Sequence, residues 1–200
     1  MTETTKVHTP VERLDREGLR ARKHERATFH ELKRTPIVMV LDGVFGNYNQ
    51  GALFRLADAF MLERLHFCGA PVMPGHRRFV KAARGTLPWV PYDDEQSVVE
   101  VVRGYAERGY QVVAVEQCEG SVPVFEARFV GPVCLVLGGE LAGVSPEALA
   151  LADLTVELPT LGMANSLNVA MSAGMLTLSV YQALLTQAPL QAGAPTASST

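Results

Sequence analysis

Short runs of apolar residues alternate with amphipathic stretches along most of this chain. The runs at 37–41 and 133–137 are strand-sized and contain no charged or strongly polar position, which indicates strands buried on both faces. The stretches between such runs carry helical periodicity and are punctuated by Gly, Pro, Asn and Asp. Strand, loop and helix in series predict an α/β fold with a mostly parallel sheet and helices on both faces.

The same pattern places the remaining elements. We expect further strands at 65–68, 110–115 and 154–158. Helices are predicted at 51–61, at 94–108 with Asp93 or Asp94 as the cap, from Ser145 with Pro146 in its first turn, and at 166–185. Residues 42–50 are a predicted turn-rich loop, and a basic loop is predicted to lead to residues 80–83.

The two ends of the chain differ from its middle. Residues 11–33 are charged, rich in helix formers and marked by a thin apolar stripe, which predicts one or two amphipathic helices. We therefore expect a basic helical extension over residues 1–35, frayed at 1–10, and a main domain over residues 36–186. The tail at 187–200 is dominated by Ala, Pro, Ser and Thr and is predicted to be disordered.

The chain is long enough to form a core without metals or disulfide bonds. A protein of 200 residues, 48% of them hydrophobic, buries roughly 70% of the surface that its unfolded form exposes. The three cysteines (Cys68, Cys118 and Cys134) are widely spaced and odd in number, which fits a reducing, cytoplasmic location. The apolar strand runs are far shorter than the roughly 20 residues of a membrane span, and no secretory signal is visible, so no membrane partner is expected.

Charge is distributed unevenly along the sequence. Residues 1–84 contain 15 Lys and Arg against 9 Asp and Glu, whereas residues 85–200 contain 3 against 12. The first part would attract a polyanion such as RNA and the second would repel it, if the two parts form separate surfaces. The alternative is that the charges only keep helices soluble.

Several common active sites are excluded by their motifs. The glycines at 138 and 143 have the end spacing of a phosphate loop, but Val144 and Ser145 replace its Lys and Ser or Thr. No strand is followed by GxGxxG, and there is no GxSxG elbow. The five histidines show no metal-ligand spacing with the cysteines, so no metal is expected.

Three loops that follow predicted strands are rich in Gly, Asn and Pro, and ligands collect at such carboxyl ends in open α/β sheets. The first contains Asn49, Gly51, Ala52 and Arg55 in the pattern N-x-G-A-x-x-R. The second, residues 135–143, reads LVLGGELAG, and the third, residues 158–169, reads LPTLGMANSLNV. In order and spacing these segments resemble the three motifs of the TrmH/SpoU branch of the SPOUT superfamily of RNA methyltransferases.

The resemblance covers about residues 22–183 and implies both a fold and a cofactor. Members of this branch have a deep trefoil knot in the C-terminal part, which composition and periodicity do not indicate. They bind S-adenosylmethionine between the second and third loops. The residues that the resemblance places at that cofactor are Leu137, Gly138, Gly139, Leu158, Leu161, Met163, Ser166 and Leu167.

The resemblance also implies a reaction, methyl transfer to a ribose 2′-hydroxyl, with Arg55 as the catalytic residue. A guanidinium is a poor base, since it is effectively always protonated. Two routes remain open: a substrate phosphate takes part in proton removal while Arg55 orients it, or burial favours the neutral guanidine. The other expected catalytic-site residues are Asn49, which would orient Arg55 or the substrate, Glu140, which would hold the loops, and Ser166 and Asn168 near a helix start.

RNA is the expected partner, with tRNA favoured over rRNA, and the family implies a homodimer. The candidate contacts to the RNA backbone are two basic groups, Arg22, Lys23 and Arg26 in the extension and Arg77, Arg78, Lys81 and Arg84 in the main domain. Two alternatives stay open: a related enzyme that methylates another RNA position, and a non-catalytic RNA-binding or ribosome-assembly factor that retains the cofactor pocket.

Overall fold

A computed structural model describes residues 13–187 of the protein. Contacts divide these residues into two units, one ending at Leu32 and one beginning at Lys33. The predictions for residues 1–10 and for most of the tail, residues 188–200, lie outside the described residues.

The first unit contains less helix than its sequence predicts. Helix α1 (Arg16–Ala21) begins after Asp15, whose carboxylate accepts a hydrogen bond from the Gly18 amide at 2.8 Å. Residues 22–28 form turns and bends, and a 3-10 turn follows at Phe29–Glu31. Where one or two amphipathic helices are predicted, the described part of this segment thus has one short α-helix and one 3-10 turn, and Arg22, Lys23 and Arg26 lie beyond α1. Helices this short gain little from backbone bonds alone, and the apolar stripe is too thin to extend α1 by packing.

The second unit is built on one seven-stranded sheet, and every pair of neighbouring strands is parallel. The strand order is β3-β2-β1-β6-β4-β7-β5. The predicted α/β fold with a mostly parallel sheet is confirmed. The strands are β1 (Thr35–Asp42), β2 (Leu62–Cys68), β3 (Tyr92–Gln96), β4 (Gln111–Val115), β5 (Val122–Pro123), β6 (Val133–Gly138) and β7 (Leu154–Glu157).

Helices cover both faces of this sheet. The side chains of β1 alternate between two cores, with Ile37, Met39 and Leu41 in one and Val38 and Val40 in the other. Helices α2, α3 and α6 contribute to the first core, and helices α4 and α5 to the second. Their bounds are α2 (Asn47–Ala59), α3 (Arg77–Ala83), α4 (Val98–Glu107), α5 (Pro146–Leu149) and α6 (Val169–Gln187), with a 3-10 turn at Leu87–Trp89.

Helices α2 and α4 begin at residues other than those predicted. Helix α2 begins at Asn47, four residues early, so half of the predicted loop is its first turn. Helix α4 begins at Val98 because residues 92–96 pair with β2 as strand β3, and Ser97 caps the helix in place of Asp93 or Asp94. Its hydroxyl accepts from the Glu100 amide at 3.5 Å.

Two further differences lie in regions predicted as loop or cap. The basic segment before residue 80 is not all loop, since residues 77–83 form α3. Helix α6 begins at Val169 rather than Ser166, which lies in the preceding loop. The Asn168 side chain accepts from the Ala170 amide at 3.0 Å, so Asn168 satisfies a first-turn donor that Ser166 does not reach.

Helix α6 has two apolar faces, as its sequence predicts. Ala173, Leu176 and Val180 are fully buried in the core, whereas Met171 and Met175 are exposed. Among the described helices, α6 is the one long and apolar enough to cross a membrane, a criterion that core helices of soluble proteins also meet. A third of its most apolar stretch is buried inside the domain.

All three cysteines are free, and two of them are inaccessible. Burial raises the pKa of the Cys68 thiol to about 12, with a smaller contribution from the nearby Asp42 carboxylate. Burial likewise raises the pKa of the Cys134 thiol to about 12. Both side chains therefore stay protonated and act as small apolar groups of the second core, while Cys118 is exposed.

Helix α3 packs against α2 at the glycine of the first loop pattern. A Cβ at Gly51 would lie 2.6 Å from the Phe79 carbonyl oxygen and 2.9 Å from the Ala82 methyl carbon. Phe54, one turn later, stacks at 5.7 Å on Phe67 and meets Phe79 edge-on at 5.2 Å. Gly51 thus permits the close helix contact, and its role in the motif is packing.

We predict that Gly51→Ala lowers the free energy of unfolding by about 1–2 kcal/mol, because overpacking against the α3 backbone outweighs the gain in helix propensity. Urea unfolding followed by circular dichroism measures the change. Gly104→Ala is the matched control: it lies within α4, its added methyl meets no atom within 4 Å, and it should gain about 0.5–1 kcal/mol. Equal stability of the two variants would contradict the packing role.

Candidate functional site

The three motif loops meet at the carboxyl edge of the sheet. Strand β1 ends level with β6, since Asp42 pairs with Gly138 in the parallel register. Strand β4 pairs with β6 on one side and with β7 on the other. The loops after β1, β6 and β7 therefore start at the same edge of the sheet, with β4 between β6 and β7.

One side-chain amide joins all three loops. Asn49, buried in the first turn of α2, donates from Nδ2 to Oε1 of Glu140 in the second loop. Its Oδ1 accepts a hydrogen bond from Nδ2 of Asn168 in the third loop at 3.0 Å. Asn168 in turn accepts from the Ala170 amide. Because a carboxamide both donates and accepts, one Asn49 side chain spans the two partners.

The glycines of the second loop serve the loop's own tight path. The Gly143 amide donates to the Gly139 carbonyl at 2.9 Å, and Gly143 has a φ of +67°. A Cβ on Gly138 would overlap the Gly143 backbone. Gly138 is needed for the tight path of its own loop, and a Cβ on Gly162 in the third loop would meet no atom within 4 Å.

Asp42 anchors the outer end of the same loop. Its carbonyl accepts from the Gly139 amide at 2.8 Å, and its carboxylate Oδ2 accepts from the Ser145 amide at 2.8 Å. Since Asp42 is the last residue of β1, these bonds fix both ends of the second loop to the end of β1.

A cavity of about 380 Å³ lies between the second and third loops. Six of the eight residues predicted to hold a cofactor line it, together with groups from the ends of β4 and β7. The predicted residues that line it are Leu137, Gly138, Gly139, Leu158, Ser166 and Leu167. Its size lies at the lower end of the range of about 300–1,000 Å³ found for small-molecule sites.

Leu161 and Met163 are placed differently from the prediction. Both side chains are fully exposed, at 99% and 100%, and neither lines the cavity. Leu141, at the tip of the second loop, lines the cavity but is equally exposed. Three large apolar side chains on the two loops are thus uncovered in the single chain, an arrangement that usually marks an interaction surface.

The cavity carries negative charge. Glu116, Glu140 and Glu157 line it, and none of its described lining residues is Lys, Arg or His. Glu157 accepts a hydrogen bond from the Ser121 hydroxyl at 2.6 Å, which holds its carboxylate in place. A cavity with this lining favours a ligand that carries positive charge.

Arg55 lies outside the cavity. It is exposed on α2, the helix whose first turn holds Asn49. The structure therefore brings Asn49, Glu140 and Asn168 together by direct bonds and leaves Arg55 available to a ligand from solvent. Among the described residues, no group of three His, Cys, Asp or Glu side chains is arranged to hold a metal.

Sequence reasoning missed the contribution of β4. Glu116 and Gln117 follow this strand directly and line the cavity, and Asp42 at the end of β1 was assigned only to a loop. The signal was present as polar residues at the end of an apolar strand. What the sequence did not provide was the strand order, which inserts β4 between β6 and β7.

We predict that Asn49→Asp destabilises the protein by about 1–2 kcal/mol at pH 7.5, because the new carboxylate faces Glu140 without a donor. Adding Glu140→Gln restores a donor–acceptor pair with the polarity reversed and should recover most of the loss. Urea unfolding of the two single variants and the double variant gives the coupling energy. Purely additive effects would contradict a direct bond between these side chains.

Comparison with known proteins places these features in a family. The sequence model of the SpoU rRNA Methylase family matches residues 36–178. The chain is 31% identical over 163 residues to a tRNA (guanosine(18)-2′-O)-methyltransferase of Thermus thermophilus, covering 80% of this chain and 82% of the relative. It is 30% identical over 147 residues to the enzyme of the same name from Escherichia coli K12, covering 72% of this chain and 62% of the relative.

A solved structure is similar as well. The AdoMet-bound rRNA methyltransferase from Sinorhizobium meliloti superposes with a TM-score of 0.69 and 27% identity, covering 78% of this chain and 60% of that one. The match to the family model spans more than half of the chain and includes all three loops and the first half of α6. The protein belongs to the SpoU rRNA Methylase family.

Proposed function

We propose that this protein transfers a methyl group from S-adenosylmethionine to a ribose 2′-hydroxyl of RNA. The observation that carries the proposal is the joining of all three motif loops, through the Asn49 carboxamide, beside one cavity of cofactor size. Family membership and the names of the relatives from Thermus and Escherichia coli support the same reaction.

The cavity suits S-adenosylmethionine in shape and charge. Leu137, Leu158 and Leu167 offer an apolar wall for an adenine ring, and the loop backbone offers donors and acceptors beside it. The carboxylates of Glu116 and Glu157 favour a cationic ligand over an anionic one. The S. meliloti structure, a related methyltransferase, is described as AdoMet-bound. When bound, this cofactor supplies an electrophilic sulfonium methyl group.

Arg55 is the residue that we assign to the acceptor side. Its guanidinium is suited to hold a substrate phosphate in a two-bond contact, so that a phosphate oxygen lies ready to take the 2′-hydroxyl proton. Direct proton removal by Arg55 would require burial that favours the neutral guanidine, and Arg55 is exposed. The structure of the single chain therefore supports orientation by Arg55 rather than direct proton removal by it.

The remaining predicted catalytic residues divide into two groups. Asn49, Glu140 and Asn168 are bonded to one another and act as positioning residues that keep the loops together. Ser166 is exposed and lines the cavity. Because it does not cap α6, its hydroxyl is free to bind the cofactor or the ribose.

The basic face of α3 is the proposed contact to the RNA backbone. Arg77, Arg78, Lys81 and Arg84 are all exposed, and α3 packs directly on α2, which carries Arg55. Arg77 and Arg78 occupy the first turn of α3, where a cation is unfavourable for the helix. Their placement thus reflects a function outside the helix. The exposed Arg22, Lys23 and Arg26 of the first unit are assigned to the same RNA.

A tRNA is the substrate class that we favour. The relatives from Thermus and Escherichia coli act, by their names, on guanosine 18 of tRNA, whereas the S. meliloti protein is called an rRNA methyltransferase. The match spans 62% of the Escherichia coli enzyme, so its additional length has no counterpart in the match.

We further propose a cytoplasmic homodimer with a knotted C-terminal part. Met171, Met175, Leu178 and Leu185 form an exposed apolar stripe along α6, and a second copy is the partner that covers it. The exposed Leu161 and Met163 gain cover in the same assembly. The insertion of β6 between β1 and β4 brings the C-terminal segments into the centre of the sheet, as a trefoil knot requires.

We predict that Arg55→Ala reduces methyl transfer to RNA at least 100-fold while the Kd for S-adenosylmethionine changes less than threefold, because Arg55 lies outside the cavity. Labelled cofactor and total RNA from a strain lacking the gene measure transfer, and calorimetry measures binding. Mass spectrometry of the digested RNA locates the methyl group on the ribose or the base.

Arg103→Ala, an exposed arginine on α4, is the control and should keep full transfer. Methyl groups on a base would favour the alternative of a related enzyme with another target position. RNA binding without any transfer by the unmodified protein would favour the non-catalytic binding factor.

We predict that Arg77→Glu with Arg78→Glu weakens RNA binding at least tenfold at 0.1 M salt and flattens its salt dependence, because fewer phosphate contacts release fewer counterions. Filter binding across a salt series measures both. The control, Arg103→Glu with Arg128→Glu, changes net charge equally at exposed sites outside α3 and should have a smaller effect. Equal losses in both variants would show that only net charge matters.

A further inference from the structure

The end of β4 lies between the two loops that form the cavity. In the sheet, β4 is flanked by β6, which leads into the second loop, and by β7, which leads into the third. The Glu116 amide continues the ladder by donating to the Val156 carbonyl at 3.0 Å. Backbone pairing thus holds residue 116 at the end of a strand from which side chains reach both loops.

The Glu116 side chain is hydrogen-bonded to the second loop. Its Oε2 accepts a hydrogen bond from the Val144 amide at 2.9 Å, and its carboxylate lies directly against the Cα of Gly143. A methyl group on Gly143 would overlap this carboxylate. Its other oxygen, Oε1, accepts from the Gln117 amide at 3.1 Å. Both carboxylate oxygens of Glu116 therefore accept hydrogen bonds from backbone amides. Glu116 thus shapes the cavity wall as well as contributing negative charge to it.

The Gln117 side chain is hydrogen-bonded to the third loop. Its Nε2 donates to the Leu158 carbonyl at 3.2 Å and to the Thr160 hydroxyl at 3.4 Å. Leu158 and Thr160 line the cavity, as do Glu116 and Gln117 themselves. Consecutive residues thus hold opposite walls, Glu116 as an acceptor and Gln117 as a donor.

We infer that Glu116 and Gln117 are positioning residues that set the separation of the two loops and thereby the affinity for S-adenosylmethionine. The Asn49 carboxamide joins the loops on the side of α2, and the Glu116–Gln117 pair joins them through the end of β4. Neither residue touches the acceptor-side Arg55. Loss of the pair should therefore weaken cofactor binding and leave the reaction at saturating cofactor nearly unchanged. This inference rests on the proposed function.

The test compares Glu116→Ala, Glu116→Gln, Gln117→Ala and Gln117→Glu in the full chain. Calorimetric titration with S-adenosylmethionine gives Kd, thermal unfolding gives Tm without ligand, and methyl transfer at saturating cofactor gives kcat. We expect Kd to rise at least tenfold in Glu116→Ala and in both Gln117 variants, with kcat within threefold of the unmodified protein. Glu116→Gln retains an oxygen acceptor for the Val144 amide but loses the negative charge, so its Kd should rise less than that of Glu116→Ala.

Glu119→Ala is the matched control, because Glu119 is an exposed carboxylate in the same loop and does not line the cavity. Its Kd should not change. An unchanged Kd in Glu116→Ala and Gln117→Glu, or a fall in kcat as large as the rise in Kd, would overturn the inference. If Glu116→Ala does not fold, the two Gln117 variants decide by the same criterion. If the unmodified protein binds no S-adenosylmethionine at all, the proposed function fails instead.

Discussion

The hydrogen bonds of the Asn49 carboxamide are the interaction on which the site depends. Glu140 and Asn168 lie 91 and 119 residues after Asn49 in the chain, yet the planar amide of Asn49 bonds to both of them. A buried amide left without its hydrogen-bond partners costs about 1–3 kcal/mol. Movement of either loop away from Asn49 would incur this cost, so the bonds hold both loops in place. Helix α2, the second loop and the start of α6 are thereby fixed relative to one another.

The parallel sheet makes this arrangement possible and gives each polar residue a defined task. Asp42, Glu116 and Glu157 each stand at the carboxyl end of a different strand, and each has accepted hydrogen bonds from the loops around it. Asp42 and Glu116 hold backbone amides, whereas Glu157 holds the Ser121 hydroxyl. Glu116 and Glu157 also line the cavity and make it negative. The exposed basic residues of α3 do not line this cavity. The protein thus separates a region suited to a cationic cofactor from one suited to RNA.

Much of this architecture follows from the sequence because its strands are continuous apolar runs. The runs at 37–41 and 133–137 predicted buried strands, and the loops behind them contained the residues that the structure brings together. Predictions failed where a local signal had two outcomes. Residues 92–96 satisfy a strand partner before the helix can begin, and Ser166 looks like a cap although Asn168 makes the capping bond. Glu116 and Gln117 were invisible because strand order is a tertiary property, and only that order places β4 between the loops.

The central claim is that both loops line one cavity that takes S-adenosylmethionine, and hydrogen exchange of the full protein tests it directly. Amides of residues 138–144 and 158–168 should become protected together when the cofactor is added, while those of α4 on the opposite face of the sheet keep their rates. Protection confined to one of the two segments, or seen in neither, would contradict the account.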